Sequence, residues 1–233
     1  MSDAVTLFCF PFAGGNVYSY RPFERVLNPA IKVVPLEPPG RGRRSQESCL
    51  KSMHEIALDM VSCMRTSLDK PYALFGHSMG ALSAYLVTCQ LVKEQLPLPL
   101  HLFISGKGPP HGISREAQWH TLPPEEFKSK LAELGGCATV VLEDRELFAY
   151  FEPIIREDMR AIAEYQHTAG PPLEVPITVM IGTTESTTCA EASQWNDMTT
   201  YDCSVLQYEG DHFFLFDHID SICALLNSTL LDS

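Results

Sequence analysis

The chain has 233 residues, 45% of them hydrophobic and 20% charged, with a net charge of -12 at pH 7. That length and apolar content suffice for one large core, while so acidic a balance excludes a nucleic-acid binder and offers no attraction to an anionic membrane surface. The eight cysteines include no C-x-x-C pair, which speaks against a zinc site or a disulfide framework.

The opening MSDAVTLFCF has no basic segment ahead of its apolar run, so no secretory signal is expected. No apolar run in the chain approaches the roughly 18 residues of a transmembrane helix. A reduced, cytoplasmic setting is the simplest expectation.

VTLFCFPF (residues 5–12) and IKVVPL (31–36) read as buried strands closed by Gly or Pro. SMHEIALDMVSCMRTSL (52–68) spaces its apolar residues as an amphipathic helix. YALFG (72–76) is another strand, MGALSAYLVTCQLVKE (79–94) a helix, and LHLFISG (100–106) a further strand. From 107 to 176 only helical patterns follow: a turn near Trp119, PPEEFKSKLAEL, and EDRELFAYFEPIIREDMRAIAEYQ. ITVMIG (177–182) and CSVLQYEG (203–210) complete the strands, and a last helix covers 219–231.

Apolar strands alternating with helices predict an α/β fold, a mostly parallel sheet with helices on both faces. Without repeats or linkers, the expectation is a single domain over 1–233 with a helical insertion at 107–170. Set at the C-terminal edge of the strands, that insertion is placed as a lid over a ligand site. The plainer alternative is a helical excursion covering a sheet face.

Gly76-His77-Ser78-Met79-Gly80 fits G-x-S-x-G between a predicted strand and a predicted helix. In that context the glycines permit a sharp elbow that presents Ser78 as a nucleophile at a helix N-terminus. A hydroxyl needs a base to take its proton, and the chain order serine, acid, histidine points to a late histidine. His212, in GDHFFLFD before the final helix, is the candidate; His218 reads as a helix-start residue and His167 as the end of the insertion.

The acid that orients the histidine is sought after a strand end. The residues at the end of LHLFISG and just past it, Ser105 to Gly108, include no carboxylate, whereas TTESTT after ITVMIG offers Glu185. Asp197 and Asp202 are rivals, and Asp211 adjoins the base. For the oxyanion hole, the N–H of Met79 is one expected donor and Ala13, in FPFAGGN, the second, with Phe12 close behind.

FCFPFAGGN, PPGRGRR, FGHSMGAL, LPPEEFKSKLAELGG, PIIRED and GDHFFL, in that order, together resemble the type II thioesterases. These are the free-standing editing enzymes of nonribosomal peptide and polyketide synthesis, related to the medium-chain fatty-acid-synthase thioesterase. The resemblance runs from Leu7 to Leu230. It implies an α/β-hydrolase fold and hydrolysis of acyl thioesters from phosphopantetheinyl carrier proteins through an acyl-serine, by a monomer with no metal or organic cofactor.

By position the resemblance gives Ser78 as nucleophile, His212 as base, and residues 107–170 as the helical lid. At Glu185 the family usually has aspartate, so either glutamate takes that role or a nearby carboxylate does. Fold and triad do not choose the leaving group, which keeps open another serine esterase or acyltransferase. A catalytically idle acyl- or carrier-binding scaffold is the rival from a different class. Arg41, Arg43 and Arg44 of PPGRGRR either meet an acidic carrier protein or phosphate, or pin their loop by ion pairs. The lid aromatics Phe127, Phe148, Tyr150, Phe151 and Tyr165 either line an acyl channel or pack the helices.

Overall fold

The computed structural model describes residues 4–112, 118–135 and 139–232. Cys137 and parts of the helical insertion, at 113–117 and 136–138, lie outside the described residues. The other seven cysteines are free thiols.

Six strands form one sheet in the order β2-β1-β3-β4-β5-β6: β1 (Val5–Phe10), β2 (Ile31–Pro35), β3 (Tyr72–His77), β4 (Leu102–Ser105), β5 (Ile177–Gly182) and β6 (Ser204–Tyr208). Every pairing is parallel, so all six C-terminal ends share one edge. β1 ends at Phe10, two residues earlier than the apolar run suggests, because Pro11 has no N–H for the ladder.

Alternation along the strands divides the interior. Phe8, Leu74, Ile104 and Val179 face a core shared with α2 (Met53–Met64) and α3 (Met79–Lys93). Leu7, Phe75, Phe103 and Met180 face the opposite core, built with α1 (Arg21–Glu24) and α8 (Ile219–Leu231). A parallel sheet covered on both faces needs apolar residues on both sides of each strand, hence the unbroken apolar runs. Ser52 and Glu55 start α2 as a reciprocal capping box.

Between β4 and β5 lie a 3-10 turn at Trp119–Thr121 and the helices α4 (Pro124–Leu134), α5 (Thr139–Glu143) and α6 (Arg145–Ala163), with no strand among the described residues. α5 went unseen in the sequence, as did α7 (Cys189–Ser193) after β5. Five residues are too few to show a period, although Thr188 and Glu191 form a capping box that a T-x-x-E pattern announces. No helix among the described residues is long and apolar enough to cross a membrane.

The order 2-1-3 reverses direction at β1, so a crevice opens between the ends of β1 and β3. Open parallel sheets bind ligands at such a switch point.

Candidate active site

Ser78 sits at that crevice. Its backbone takes φ 56 and ψ -116, a conformation L residues avoid and functional sites retain. The turn is held from both sides. The Ser78 N–H donates to the Ser105 carbonyl at 2.8 Å, and the flanking glycines allow backbone to touch backbone. A Cβ on Gly76 would lie 2.1 Å from the Gly80 carbonyl oxygen, and one on Gly80 2.0 Å from that of Phe10. The elbow is thereby pressed onto the end of β1, next to the loop that follows it. Met79 opens α3, and its N–H belongs to the first helical turn, which has no acceptor within the helix.

His212 and Glu185 come together although 27 residues separate them. Gly182 makes this possible: a Cβ there would lie 2.3 Å from the Asp211 carbonyl oxygen, so only glycine admits the His212 loop so near the end of β5. The His212 Nδ1–H donates to Glu185 Oε2 at 2.8 Å, while Glu185 Oε1 accepts the Gly182 N–H at 3.0 Å. The glutamate side chain is wholly shielded from solvent, and both its oxygens are engaged. Because a carboxylate only accepts, Nδ1 carries the proton and Nε2 of the neutral ring is left as the basic nitrogen.

The rival carboxylates stand apart. Asp197 and Asp202 are exposed, and Asp211 Oδ1 accepts the Phe213 N–H at 2.7 Å as a loop brace. His218 precedes α8 and contacts the Glu209 carbonyl oxygen through Nε2, while His167 lies beside Tyr165 and His111.

In the loop after β1, Gly15 N–H closes a turn onto the Phe12 carbonyl at 2.8 Å, and Gly14 N–H donates to Asp158 Oδ2 at 2.8 Å. The N–H groups of Phe12 and Ala13 have no hydrogen-bond partner among the described residues. Two cavities meet at Ser78. One, of about 400 Å³, runs past His212 to Lys107, His111, Thr187 and Gln194. The other, of about 190 Å³, is walled by Ala13, Leu131, Phe151, Ile155 and Met159. Among the aromatics of the helical insertion, Phe127 and Phe148 are packed in the core, Phe151 faces the smaller cavity, and Tyr150 is exposed.

His77, an unconstrained position in the motif, is a contributor that sequence reasoning missed. Fully buried, it contacts Ser105 Oγ through Nδ1 at 2.9 Å and lies 4.8 Å, ring to ring, from His212. Burial, and then the neighbouring His212, hold its pKa well below 6.5, so it stays neutral beneath the second imidazole. Gly106, at φ +60, leaves room for both rings; a Cβ there would lie 2.5 Å from His77 Cε1 and 3.1 Å from His212 Cε1. Nothing in the sequence signals this, since a buried histidine is ordinary.

PPGRGRR pins rather than projects. Arg41 makes a two-pronged pair with Asp158 of α6, both bonds 2.6 Å and both side chains at least 96% buried. Arg44 bridges Glu47 and Asp59, and the Arg43 N–H donates to Glu37 Oε2 at 2.8 Å. Of the two readings of PPGRGRR, Arg41 and Arg44 take the one in which ion pairs pin the loop.

The model of the family described as Thioesterase domain matches residues 5–230. The gramicidin S biosynthesis protein GrsT of Aneurinibacillus migulanus is 31% identical over 229 residues, 96% of this chain and 90% of its own length. The solved structure of RedJ, a thioesterase from the prodiginine pathway of Streptomyces coelicolor, superposes with a TM-score of 0.88 at 34% identity, covering 97% of this chain and 86% of that one. The type II thioesterase BorB of the borrelidin biosynthetic cluster gives 0.89 at 32% identity, covering 97% and 93%. The elbow, the carboxylate-bound histidine and these likenesses agree: the chain belongs to the thioesterase family, with the type II thioesterases among its relatives, and is a hydrolase of thioester bonds.

Proposed function

We propose that Ser78 is the nucleophile, His212 the general base and Glu185 the acid that orients it, and that Met79 and Ala13 supply the oxyanion-hole N–H groups. The observation that carries this reading is the shielded Glu185–His212 pair on the cavity that Ser78 also lines. The substrate is an acyl group on the phosphopantetheine arm of a carrier protein in nonribosomal peptide or polyketide synthesis, as the names of similar proteins suggest. The enzyme works in the cytoplasm as a monomer that meets the carrier protein transiently, and residues 107–170 form the lid over the acyl site.

His212 Nε2 takes the Ser78 hydroxyl proton as Oγ attacks the thioester carbonyl, and the oxyanion settles onto the Met79 and Ala13 N–H groups. The C–S bond breaks, the proton passes from His212 to the departing thiol, and Ser78 is left acylated. Water then gives a proton to His212 and attacks the ester, releasing the acid and restoring Ser78. These steps need only side chains, backbone and water.

The test is hydrolysis of acyl-carrier-protein and acyl-N-acetylcysteamine thioesters against matched oxygen esters, with a fluorophosphonate probe alongside. Wild type should prefer the thioesters and react with the probe, and Ser78→Ala should lose about 10³-fold or more of the rate and all labelling. A preference for oxygen esters would move the reading to an esterase. Wild type inert to both substrates and probe would make the chain an acyl- or carrier-binding scaffold.

A further inference from the structure

Asp158 belongs to α6, on the helical segment between β4 and β5, yet its carboxylate ends at the loop after β1. Oδ2 accepts the Gly14 N–H at 2.8 Å and also a bond from Arg41 Nη1, while Oδ1 accepts from Arg41 Nη2, each of the last two at 2.6 Å. The side chains of Asp158 and Arg41 are only 2% and 4% exposed. Arg41 Nη1 also lies 3.5 Å from the Gly15 carbonyl oxygen. The loop around Ala13 is therefore held at three points: the Phe12 carbonyl by its turn with Gly15, the Gly14 N–H by Asp158, and the Gly15 carbonyl by Arg41. Among the described residues the N–H groups of Ala13 and Phe12 stay uncommitted, and that of Ala13 lies between the held Phe12 carbonyl and the held Gly14 N–H. Gly14 itself has φ +74, and a Cβ there would lie 2.6 Å from Ile155 Cγ1 of the same α6, so helix and loop touch without a spacer.

An ion pair this deeply buried is a poor source of stability, because desolvation offsets its attraction. A carboxylate that holds a backbone N–H beside a reacting centre has a use beyond stability. We propose that Asp158 is a positioning residue for the oxyanion donor loop, with Arg41 as its counter-charge, so that α6 sets the geometry of the oxyanion hole. This rests on the reading of Ala13 as donor and Ser78 as nucleophile. Donors act only when placed where the charge develops, and a displacement of about 1 Å costs on the order of 100-fold in rate.

The experiment compares two charge-free doubles. Arg41→Met/Asp158→Asn keeps an oxygen to accept from Gly14; Arg41→Met/Asp158→Leu removes it and leaves no unpaired charge. With an acyl-N-acetylcysteamine thioester, the leucine double is expected to show a kcat about 100-fold below the asparagine double with KM within about threefold. Its reaction with a fluorophosphonate, which also needs the oxyanion hole, should slow in parallel. Equal kcat in the two folded doubles, or a difference confined to KM, overturns the proposal. Should the leucine double not fold, amide exchange in wild type decides: the Gly14 N–H should exchange as slowly as strand amides, and exchange at the rate of an exposed loop overturns it. A wild type that fails to react with substrate and probe defeats the reading of Ser78 and the proposal with it, whereas an active wild type with equal doubles overturns the role of Asp158 alone.

Discussion

The strand edge and the helical segment above it are built by different means. At the edge, two residues of the proposed triad are fixed by backbone: Ser78 through its N–H on Ser105, Glu185 through the Gly182 N–H, and both approaches through glycines that tolerate no Cβ. The helical segment is held in large part by side chains. Arg156 reaches the carbonyls of His120 and Leu122 at 3.0 and 2.8 Å, pairs with Glu152 and stacks 4.2 Å over Phe127, while Arg41 grips Asp158. A cavity whose floor is fixed by backbone and whose walls are held by exchangeable side chains can change its shape without moving Ser78.

That contrast breaks most severely at the acid. Glu185→Gln keeps the size but loses the charge that holds His212 in its tautomer, and should lower kcat by roughly 10³- to 10⁴-fold. A rate near wild type would place the acid elsewhere, with Asp202 next to test. Gly80→Ala should cost about 3 kcal/mol or more, read as a fall in the urea midpoint, because a Cβ there meets the Phe10 carbonyl at 2.0 Å.

On the side of the walls, Arg156→Met should cost only about 1–2 kcal/mol for the carbonyl contacts it abandons. It should change the preference among acyl lengths more than kcat on the shortest. An unchanged preference would show that the segment's position does not depend on this arginine. The pH effect is of similar size. Burial holds His77 well below 6.5 and His101 down to about 4. Below pH 6.5 the unfolded chain binds protons that the folded chain does not, so stability falls on acidification by up to about 1.4 kcal/mol per pH unit for each group. Urea midpoints at pH 7.5 and 5.5 should show that slope, and His101→Gln should flatten it.

The strands and the elbow were legible because period and punctuation are local: apolar runs, Gly76 and Gly80 within five residues, and a capping box before α2. Glu185 could be singled out as the one carboxylate just past β5, but only folding shows how its longer side chain is accommodated, with one oxygen turned back to Gly182. Arg41 and Asp158 are 117 residues apart and His77 and Ser105 are 28 apart, and no pattern in one chain announces such pairings. For PPGRGRR the near partners of Arg44, Glu47 and Asp59, lie within fifteen residues, but the partner of Arg41 is brought by α6 from far along the chain.

The backbone at Ser78 has a consequence for selection. A serine at φ 56 and ψ -116 stores on the order of 1–3 kcal/mol that the rest of the fold must supply, and glycine is the residue that relieves it. Ser78→Gly should therefore melt above wild type while catalysing nothing. If so, the chain carries its lowest tolerance for damage at the residue it can least exchange, and neutral drift elsewhere is limited by a debt owed to one hydroxyl.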